Sequence, residues 1–192
     1  MEVLAIILAR AGSKRIPHKN VLPINGKPMI EYTIDAAIES KHIDTIIISS
    51  DCDTVNEITK KYQENCKTKE IIFMQRPEWL AGDMVTTQAV VDDVLKTYKN
   101  DINLVLQVTS PLRNVEWIDK CIELFLKEHF DSVFTVKEVF PHVYCPNGAV
   151  YVFKEKLYSN NSSMILMPPE ESIDIDTPLD LRFTEVLMKD RL

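Results

Sequence analysis

The apolar residues in the first 136 positions form short, nearly continuous runs that alternate with stretches of helical spacing. Residues 1–8 read MEVLAIIL, a largely apolar run typical of a strand buried on both faces of a parallel sheet. Further strands are predicted at 45–49, 71–74, 103–108 and 131–136, with helices at 28–38, 53–64, 86–98 and 115–127. This alternation predicts an α/β fold, a Rossmann-like, doubly wound, mostly parallel sheet with helices on both faces.

The pattern changes after residue 136. Residues 137–146 contain Pro141 and Pro146 and are predicted to be irregular, because proline interrupts regular backbone hydrogen bonding. Strands are predicted at 149–153 and 164–167, and a last helix begins near Asp176-Thr177-Pro178. No repeat or linker interrupts the chain, so residues 1–192 are predicted to be a single domain.

Charge and composition narrow the possible functions. A formal net charge of -7 disfavours nucleic-acid partners, and no apolar run approaches the roughly 20 residues of a membrane helix. The four cysteines lack metal or redox spacing and no secretory leader is visible, so a cytoplasmic setting is expected. The basic residues nevertheless concentrate near the N-terminus, at Arg10, Lys14, Arg15, Lys19 and Lys27.

The loop at residues 9–20 has the chemistry of a polyphosphate-binding loop. It follows the first strand, Gly12 allows close backbone approach, and Ser13 and the free amides can donate hydrogen bonds to phosphate oxygens. Its sequence fits neither a P-loop nor a dinucleotide fingerprint, since each requires further glycines. From these residues alone, a solvated basic loop remains an alternative.

Five segments in chain order resemble the acylneuraminate cytidylyltransferases, the family of CMP-sialic acid and other CMP-nonulosonate synthetases. LARAGSKRIPHKN at 8–20 resembles the signature loop, with Ala11 and His18 where glycines are usual. The second segment combines Arg76-Pro77, Leu80-Ala81, Asp83 and Thr86-Thr87. The others are LQVTSPLR at 106–113, PNGA at 146–149 and SIDIDTPLDL at 172–181.

The resemblance implies a fold of the nucleotide-diphospho-sugar transferase type and a Mg²⁺-dependent enzyme that couples CTP to a sugar acid, releasing pyrophosphate. It assigns catalytic roles to Arg10, Lys14, Lys19, Asp174 and Asp176. It places the nucleotide against Leu8, Ala9, Arg10, Ala11, Gly12, Ser13, Lys14, Lys19, Asn20, Arg76 and Thr87. It places the acceptor against Gln107, Thr109 and Lys137, and the metal against Asp174 and Asp176.

The spacing of Asp174 and Asp176 supports the metal assignment independently. Residues two apart share one face of an extended segment, and paired carboxylates suit a hard cation that also binds phosphate. The alternative is that Asp176 caps the helix that follows it. Asp51 is expected to cap the helix after the second strand, with a contact to a ribose as the alternative. Trp79 and Trp117 are expected to pack rather than bind a base.

The resemblance fails at residues 137–146, where the family carries a longer excursion that contacts a partner subunit. The shortened segment predicts a monomer, or a dimer whose active sites are each built from one chain. It also leaves alternatives open: a cytidylyltransferase for a phosphorylated or phosphonate acceptor, a related guanylyl- or uridylyltransferase, or a non-catalytic nucleotide-binding protein of the same fold.

Overall fold

The computed structural model describes residues 1–189 and confirms the predicted α/β architecture. Its strands are β1 Val3–Leu8, β2 Pro23–Ile24, β3 Lys27–Pro28, β4 Thr45–Ser50, β5 Glu70–Gln75, β6 Ile102–Gln107, β7 Ser132–Phe140, β8 Val143–Phe153 and β9 Ser162–Leu166. Its helices are α1 Met29–Glu39, α2 Asp53–Asn65, α3 Thr87–Thr97, α4 Val115–Glu128 and α5 Pro178–Lys189.

Seven strands form one mostly parallel sheet in the order β5-β4-β1-β6-β8-β7-β9. Strand β1 pairs in parallel with both β4 and β6, and β4 pairs in parallel with β5. Strand β8 is the exception, since it runs antiparallel to both of its neighbours, β6 and β7. The carboxyl ends of the four parallel strands β1, β4, β5 and β6 therefore lie along the same edge of the sheet.

Strict alternation of side chains along the strands produces two apolar cores. In β1, Ala5 and Ile7 face the larger core together with apolar residues of α1, α2 and α4. Leu4 and Ile6 point to the other face, where Val91 of α3 packs against them. Helices thus cover both faces of the sheet, as the continuous apolar runs predict.

The prediction of irregular structure at residues 137–146 is wrong. Strands β7 and β8 continue through this segment as a hairpin, with pairs from Lys137–Cys145 to Phe140–Val143. Only Pro141 and His142 lie between the strands, and His142 has φ 63. Pro141 therefore occupies the turn, where a fixed φ is favourable, and Pro146 lies beside a register shift where the ladder is already interrupted.

Two further observations bear on the sequence-based expectations. Within residues 1–189, every helix is too short or too polar to cross a membrane. The four cysteines are free thiols in this structure, and Cys121 is buried.

Candidate active site

A cleft of about 290 Å³ opens at the carboxyl ends of β1 and β6. Open parallel sheets bind ligands at this edge, where the loops after neighbouring strands diverge. The cleft is lined by Leu8, Arg10, Gly12, Ser13, Lys19, Asn20, Arg76, Leu80, Gly82, Asp83, Val85, Thr86, Thr87, Val90, Gln107, Val108, Thr109, Asp174 and Asp176. Four of the five segments that carry the family resemblance therefore contribute to the cleft, and the segment at 146–149 does not.

The loop at residues 9–20, called the basic loop below, is held in shape by hydrogen bonds to its backbone. The Ala11 N–H donates to Asp51 Oδ1 at 2.7 Å, and Asn20 Nδ2 donates to the Arg10 carbonyl at 2.9 Å. Asp51 is therefore a support of the loop and not the expected helix cap, since Cys52 occupies the N-cap of α2. His18 has φ 53, in the left-handed region that favours glycine.

Four residues assigned to the site do not line the cleft, namely Ala9, Ala11, Lys14 and Lys137. Ala9 is fully buried, its N–H donates to the Ser49 carbonyl at 3.0 Å and its carbonyl accepts from Ser50 Oγ at 2.5 Å. The Ala11 N–H is likewise occupied by Asp51. Both Ala9 backbone groups and the Ala11 N–H therefore stabilise the loop in this structure.

Lys14 and Lys137 are the two assigned cations that do not line the cleft. The Lys14 side chain is 81% exposed, and its ammonium reaches the rim of the cleft only through Asp83, at 2.5 Å. Lys137 belongs to the β7–β8 hairpin, and its charge acts on two carboxylates: it opposes the raised pKa of Asp174, which lines the cleft, and helps lower the pKa of Asp180, which lies outside the lining. The sequence could not separate these lysines from Lys19, because it carries no information on which side chains the fold buries.

Asp174 and Asp176 form an acidic segment with Ile175 between them, and Ile175 holds both carboxylates at the cleft. Ile175 is fully buried in the core, its N–H donates to the Thr109 carbonyl at 2.8 Å and its carbonyl accepts from Lys19 Nζ at 2.7 Å. Asp174 and Asp176, on either side, both line the cleft. Both carboxylates therefore face the same cleft, and hydrogen bonds to both backbone groups of Ile175 fix the segment between them.

The alternative role for Asp176, as the cap of the last helix, is wrong. The Asp180 carboxylate accepts from the Thr177 N–H at 2.7 Å and from the Thr177 hydroxyl at 2.8 Å, while Thr177 Oγ1 accepts from the Asp180 N–H at 3.3 Å. This reciprocal arrangement is a capping box that starts α5. The Asp176 carboxylate therefore does not cap α5, and it faces the cleft.

The environments of the two carboxylates differ. Burial raises the pKa of Asp174, although the Thr109 hydroxyl and nearby cations oppose the shift, and its Oδ1 is buried without a hydrogen-bond partner. For Asp176, burial is outweighed by the hydrogen bond from Lys19 and by the charges of Lys19 and Arg15, which together lower the pKa. One oxygen of Asp174 therefore lacks a hydrogen-bond partner, whereas the Asp176 carboxylate contacts two cations.

Each of the four cations of the basic loop is paired with a carboxylate. Asp176 binds Arg15 at 3.0 Å and Lys19 at 3.1 Å. Asp83 binds Arg10 at 2.9 Å and Lys14 at 2.5 Å. The cleft thus contains two anions from distant parts of the chain, each bridging two cations of one loop.

Gln107 lines the cleft and lies against the PNGA segment at residues 146–149. Gly148 has φ 82, and a Cβ there would lie 2.5 Å from Gln107 Oε1, so this position requires glycine. Asn147 is buried, accepts from Thr135 Oγ1 at 2.6 Å and contacts Ser172 Oγ at 3.3 Å. The segment therefore supports Gln107, which lines the cleft, without lining the cleft itself.

Two buried arginines support the floor of the cleft. Arg76 lines it and donates to the Ser49 carbonyl at 2.8 Å. Arg113 is fully buried and donates to the carbonyls of Gln107 at 3.2 Å and Ala149 at 3.0 Å, which ties β6 to β8. Burial lowers the pKa of Arg76, and it lowers the pKa of Arg113 to about 9.

The cleft includes residues that the sequence interpretation did not assign to it, most of them from the segment between β5 and α3. Asp83 and Thr86 belong to the second matched segment, which was itself a signal, yet only Arg76 and Thr87 were chosen from it. Trp79, expected to pack, is instead 65% exposed beside this segment. Trp117 does pack against the core, and its indole donates to Glu171.

Comparison with known proteins agrees with this geometry. The sequence model of the family described as "Cytidylyltransferase" matches residues 4–185. An N-acylneuraminate cytidylyltransferase of Streptococcus agalactiae is 33% identical over 92% of this chain, which spans only about half of that protein, 51%. A CMP-N,N'-diacetyllegionaminic acid synthase of Legionella pneumophila is 32% identical over 98% of this chain and 97% of its own length.

This chain is shorter than one of these relatives and shares the fold of a solved synthetase. The alignment with the Legionella protein covers 232 positions against the 192 residues of this chain, so the relative carries additional residues with no counterpart here. A solved CMP:2-keto-3-deoxy-manno-octonic acid synthetase complexed with CTP superposes with a TM-score of 0.75 at 15% identity, covering 100% of both chains. With the family match extending over nearly all of its residues, this chain belongs to the cytidylyltransferase family.

Proposed function

We propose that this chain transfers the cytidylyl group of CTP to a sugar acid of the nonulosonic class, giving a CMP-sugar and pyrophosphate. The observation that carries the proposal is the convergence of the basic loop, the acidic segment and Gln107 on one strand-end cleft. A polyphosphate, a divalent cation and a polar acceptor each find suitable chemistry there. The relatives named above, whose names specify nonulosonic acids, support this acceptor class.

The nucleotide would bind along the basic loop. Arg10 and Lys19 line the cleft, Lys14 stands at its rim, and Ser13 adds a hydroxyl donor. A Cβ at Gly12 would meet no atom within 4 Å, so the loop leaves open space where phosphates can approach the backbone. Charge-assisted hydrogen bonds of this kind stabilise the negative charge that develops as pyrophosphate leaves.

The acidic segment fits a magnesium ion. Asp174 Oδ1 is buried without a hydrogen-bond partner, and carboxylate oxygens are the ligands that Mg²⁺ prefers. Within residues 1–189 no group of three or more potential ligands could hold a metal alone, so phosphate oxygens and water would complete the coordination of an ion held by Asp174 and Asp176. When bound there, Mg²⁺ supplies charge neutralisation at the phosphates and acidifies an attacking hydroxyl.

In the proposed reaction, an acceptor hydroxyl attacks the α-phosphorus of CTP in line with the leaving pyrophosphate. A new phosphorus–oxygen bond forms as the bond to the bridging oxygen of the β-phosphate breaks, and the proton of the acceptor hydroxyl passes to water. Gln107 and Thr109 lie at the end of β6 and would orient the acceptor, while Arg10, Lys14 and Lys19 hold the phosphates. Catalysis then rests on positioning and electrostatic stabilisation, with no covalent intermediate on the protein.

The nucleotide preference tests the proposal first. We expect CTP to stabilise the protein against heat more than ATP, GTP or UTP at equal concentration with Mg²⁺. A ligand present at 100 times its Kd adds about 2.7 kcal/mol, which raises the Tm of a chain of this size by roughly 5–10 °C. Differential scanning fluorimetry with the four nucleotides measures this, and a larger shift with a purine nucleotide would contradict the proposal.

We further propose that each active site is built from one chain, whether the protein is a monomer or a dimer. Beyond its last pair with β9 at Val136, the β7–β8 hairpin continues only through residues 137–146, so this arm projects roughly 15 Å beyond the sheet. The exposed side chains of Phe140 and Val143 at its tip suit a contact between subunits without reaching a partner's cleft.

A mixing experiment tests the single-chain site. Asp176→Asn alters the cleft of its own chain, and Phe140→Ala alters the tip of the β7–β8 hairpin, which is the part that a shared site would take from the partner subunit. After the two proteins are mixed and allowed to exchange subunits, we expect pyrophosphate release no greater than the sum of the separate variants. Activity clearly above that sum would mean that two chains share a site.

A further inference from the structure

We propose that Asp83 is an internal anion that occupies the pyrophosphate-binding position of the ligand-free cleft, and that incoming phosphates must displace it. This inference rests on the proposed function, because it takes Arg10 and Lys14 as phosphate ligands. The inference gives Asp83 a role in setting the strength of phosphate binding. Asp83 lies in the segment between β5 and α3, whereas the cations that it pairs with belong to the loop at residues 9–20.

The contacts of Asp83 are those expected of a bound phosphate. Its Oδ1 lies 2.9 Å from Arg10 Nη1 and its Oδ2 lies 2.5 Å from Lys14 Nζ, so the two oxygens bridge both cations. Hydrogen bonding from Lys14, with a further contribution from Arg10, holds the pKa of Asp83 below its ordinary value. The carboxylate is therefore charged at neutral pH and competes with any other anion for the same donors.

The segment that carries Asp83 is anchored at both ends and exposed in the middle. Leu80 is 2% exposed on one side, and Thr86 on the other side caps α3 by accepting from the Ala89 N–H at 3.2 Å. Between them, Met84 is 94% exposed. Asp83 can therefore leave the cations by a local movement of a few residues, without disturbing the core or the helix.

This competition weakens binding only for ligands that reach Arg10 and Lys14. A site that is available in a fraction of molecules binds with an apparent Kd raised by the inverse of that fraction. Cytidine, which has no phosphate, has no need to displace Asp83. Pyrophosphate must displace it, and the same carboxylate can return to the two cations when pyrophosphate leaves, which favours product release.

The test compares the binding of inorganic pyrophosphate to the wild-type protein and to Asp83→Asn by isothermal titration calorimetry, without divalent cations. Asparagine keeps the shape and removes the charge. Two exposed ion pairs of modest strength correspond to roughly 3- to 10-fold tighter binding in the variant. Asp131→Asn is the matched control, because Asp131 is similarly exposed, pairs with Lys154 at 2.8 Å and lies outside the cleft lining.

Tighter pyrophosphate binding by Asp83→Asn, with Asp131→Asn unchanged, supports the inference. Unchanged or weaker binding by Asp83→Asn overturns it, even if the wild-type protein binds CTP as proposed. An equal gain in both variants also overturns it, since the effect would then come from net charge. Absence of pyrophosphate binding in all three proteins overturns it together with the proposed phosphate site.

Discussion

Replacing Asp174 with asparagine should lower the turnover number by at least about 100-fold without lowering the free energy of unfolding at neutral pH. The variant loses a proposed metal ligand but keeps the shape of the side chain. Burial raises the pKa of Asp174 above its ordinary value of 3.8, so folding disfavours the charged carboxylate. That cost is present above the folded pKa and disappears as the pH falls below the unfolded pKa.

Pyrophosphate release and urea unfolding at several pH values measure the two effects together. We expect Asp174→Asn to be at least as stable as the wild-type protein at pH 7, with the difference narrowing in acid. Asp131→Asn controls for the loss of one charge, since Asp131 pairs with Lys154 outside the cleft, and it should retain turnover. A fully active Asp174→Asn variant would remove Asp174 from the metal site.

Lys19→Met is expected to impair the enzyme far more than Lys14→Met, although the two lysines lie in the same loop. The Lys19 side chain is only 14% exposed and binds both the Ile175 carbonyl and Asp176, whereas Lys14 is 81% exposed. We expect kcat/KM for CTP to fall roughly 100-fold or more for Lys19→Met and roughly 10-fold or less for Lys14→Met.

Stability provides a second comparison between these lysines. Loss of the partly buried hydrogen bonds of Lys19 should lower the free energy of unfolding by about 1–2 kcal/mol, whereas Lys14→Met should leave it nearly unchanged. Steady-state kinetics and urea unfolding of the two variants provide the data. Equal effects of the two substitutions on kcat/KM would show that burial and contact with the acidic segment do not distinguish their roles.

The fold was predictable because its signals are local. Continuous apolar runs such as residues 3–8 identify strands buried on both faces, and the helical spacing between them requires parallel connections. The hairpin at 137–146 was missed for the opposite reason. Its strands are stabilised by pairing with each other, and the prolines lie at a turn and beside a register shift that local sequence does not reveal.

The candidate site was predictable in its components but not in its contacts. The loop at 9–20 and the Asp-x-Asp spacing at 174–176 indicate a polyphosphate and a metal, and most of the residues assigned to the site from these two segments line the cleft. The pairing of Asp83 with Arg10 joins residues more than 70 positions apart, so no spacing rule identifies it. For the same reason Asp51 was interpreted from its neighbours as a helix cap, while its partner is Ala11.

The most direct test of the central claim is an assay of pyrophosphate release with CTP, Mg²⁺ and a panel of sialic, legionaminic and pseudaminic acids, with product identification by mass spectrometry. We expect at least one acid to give pyrophosphate and a CMP-sugar in equal amounts, and the reaction to stop when the acid or CTP is omitted. A phosphorylated or phosphonate acceptor included in the same panel should be inert. Turnover with that acceptor and none with the sugar acids would contradict the proposed function.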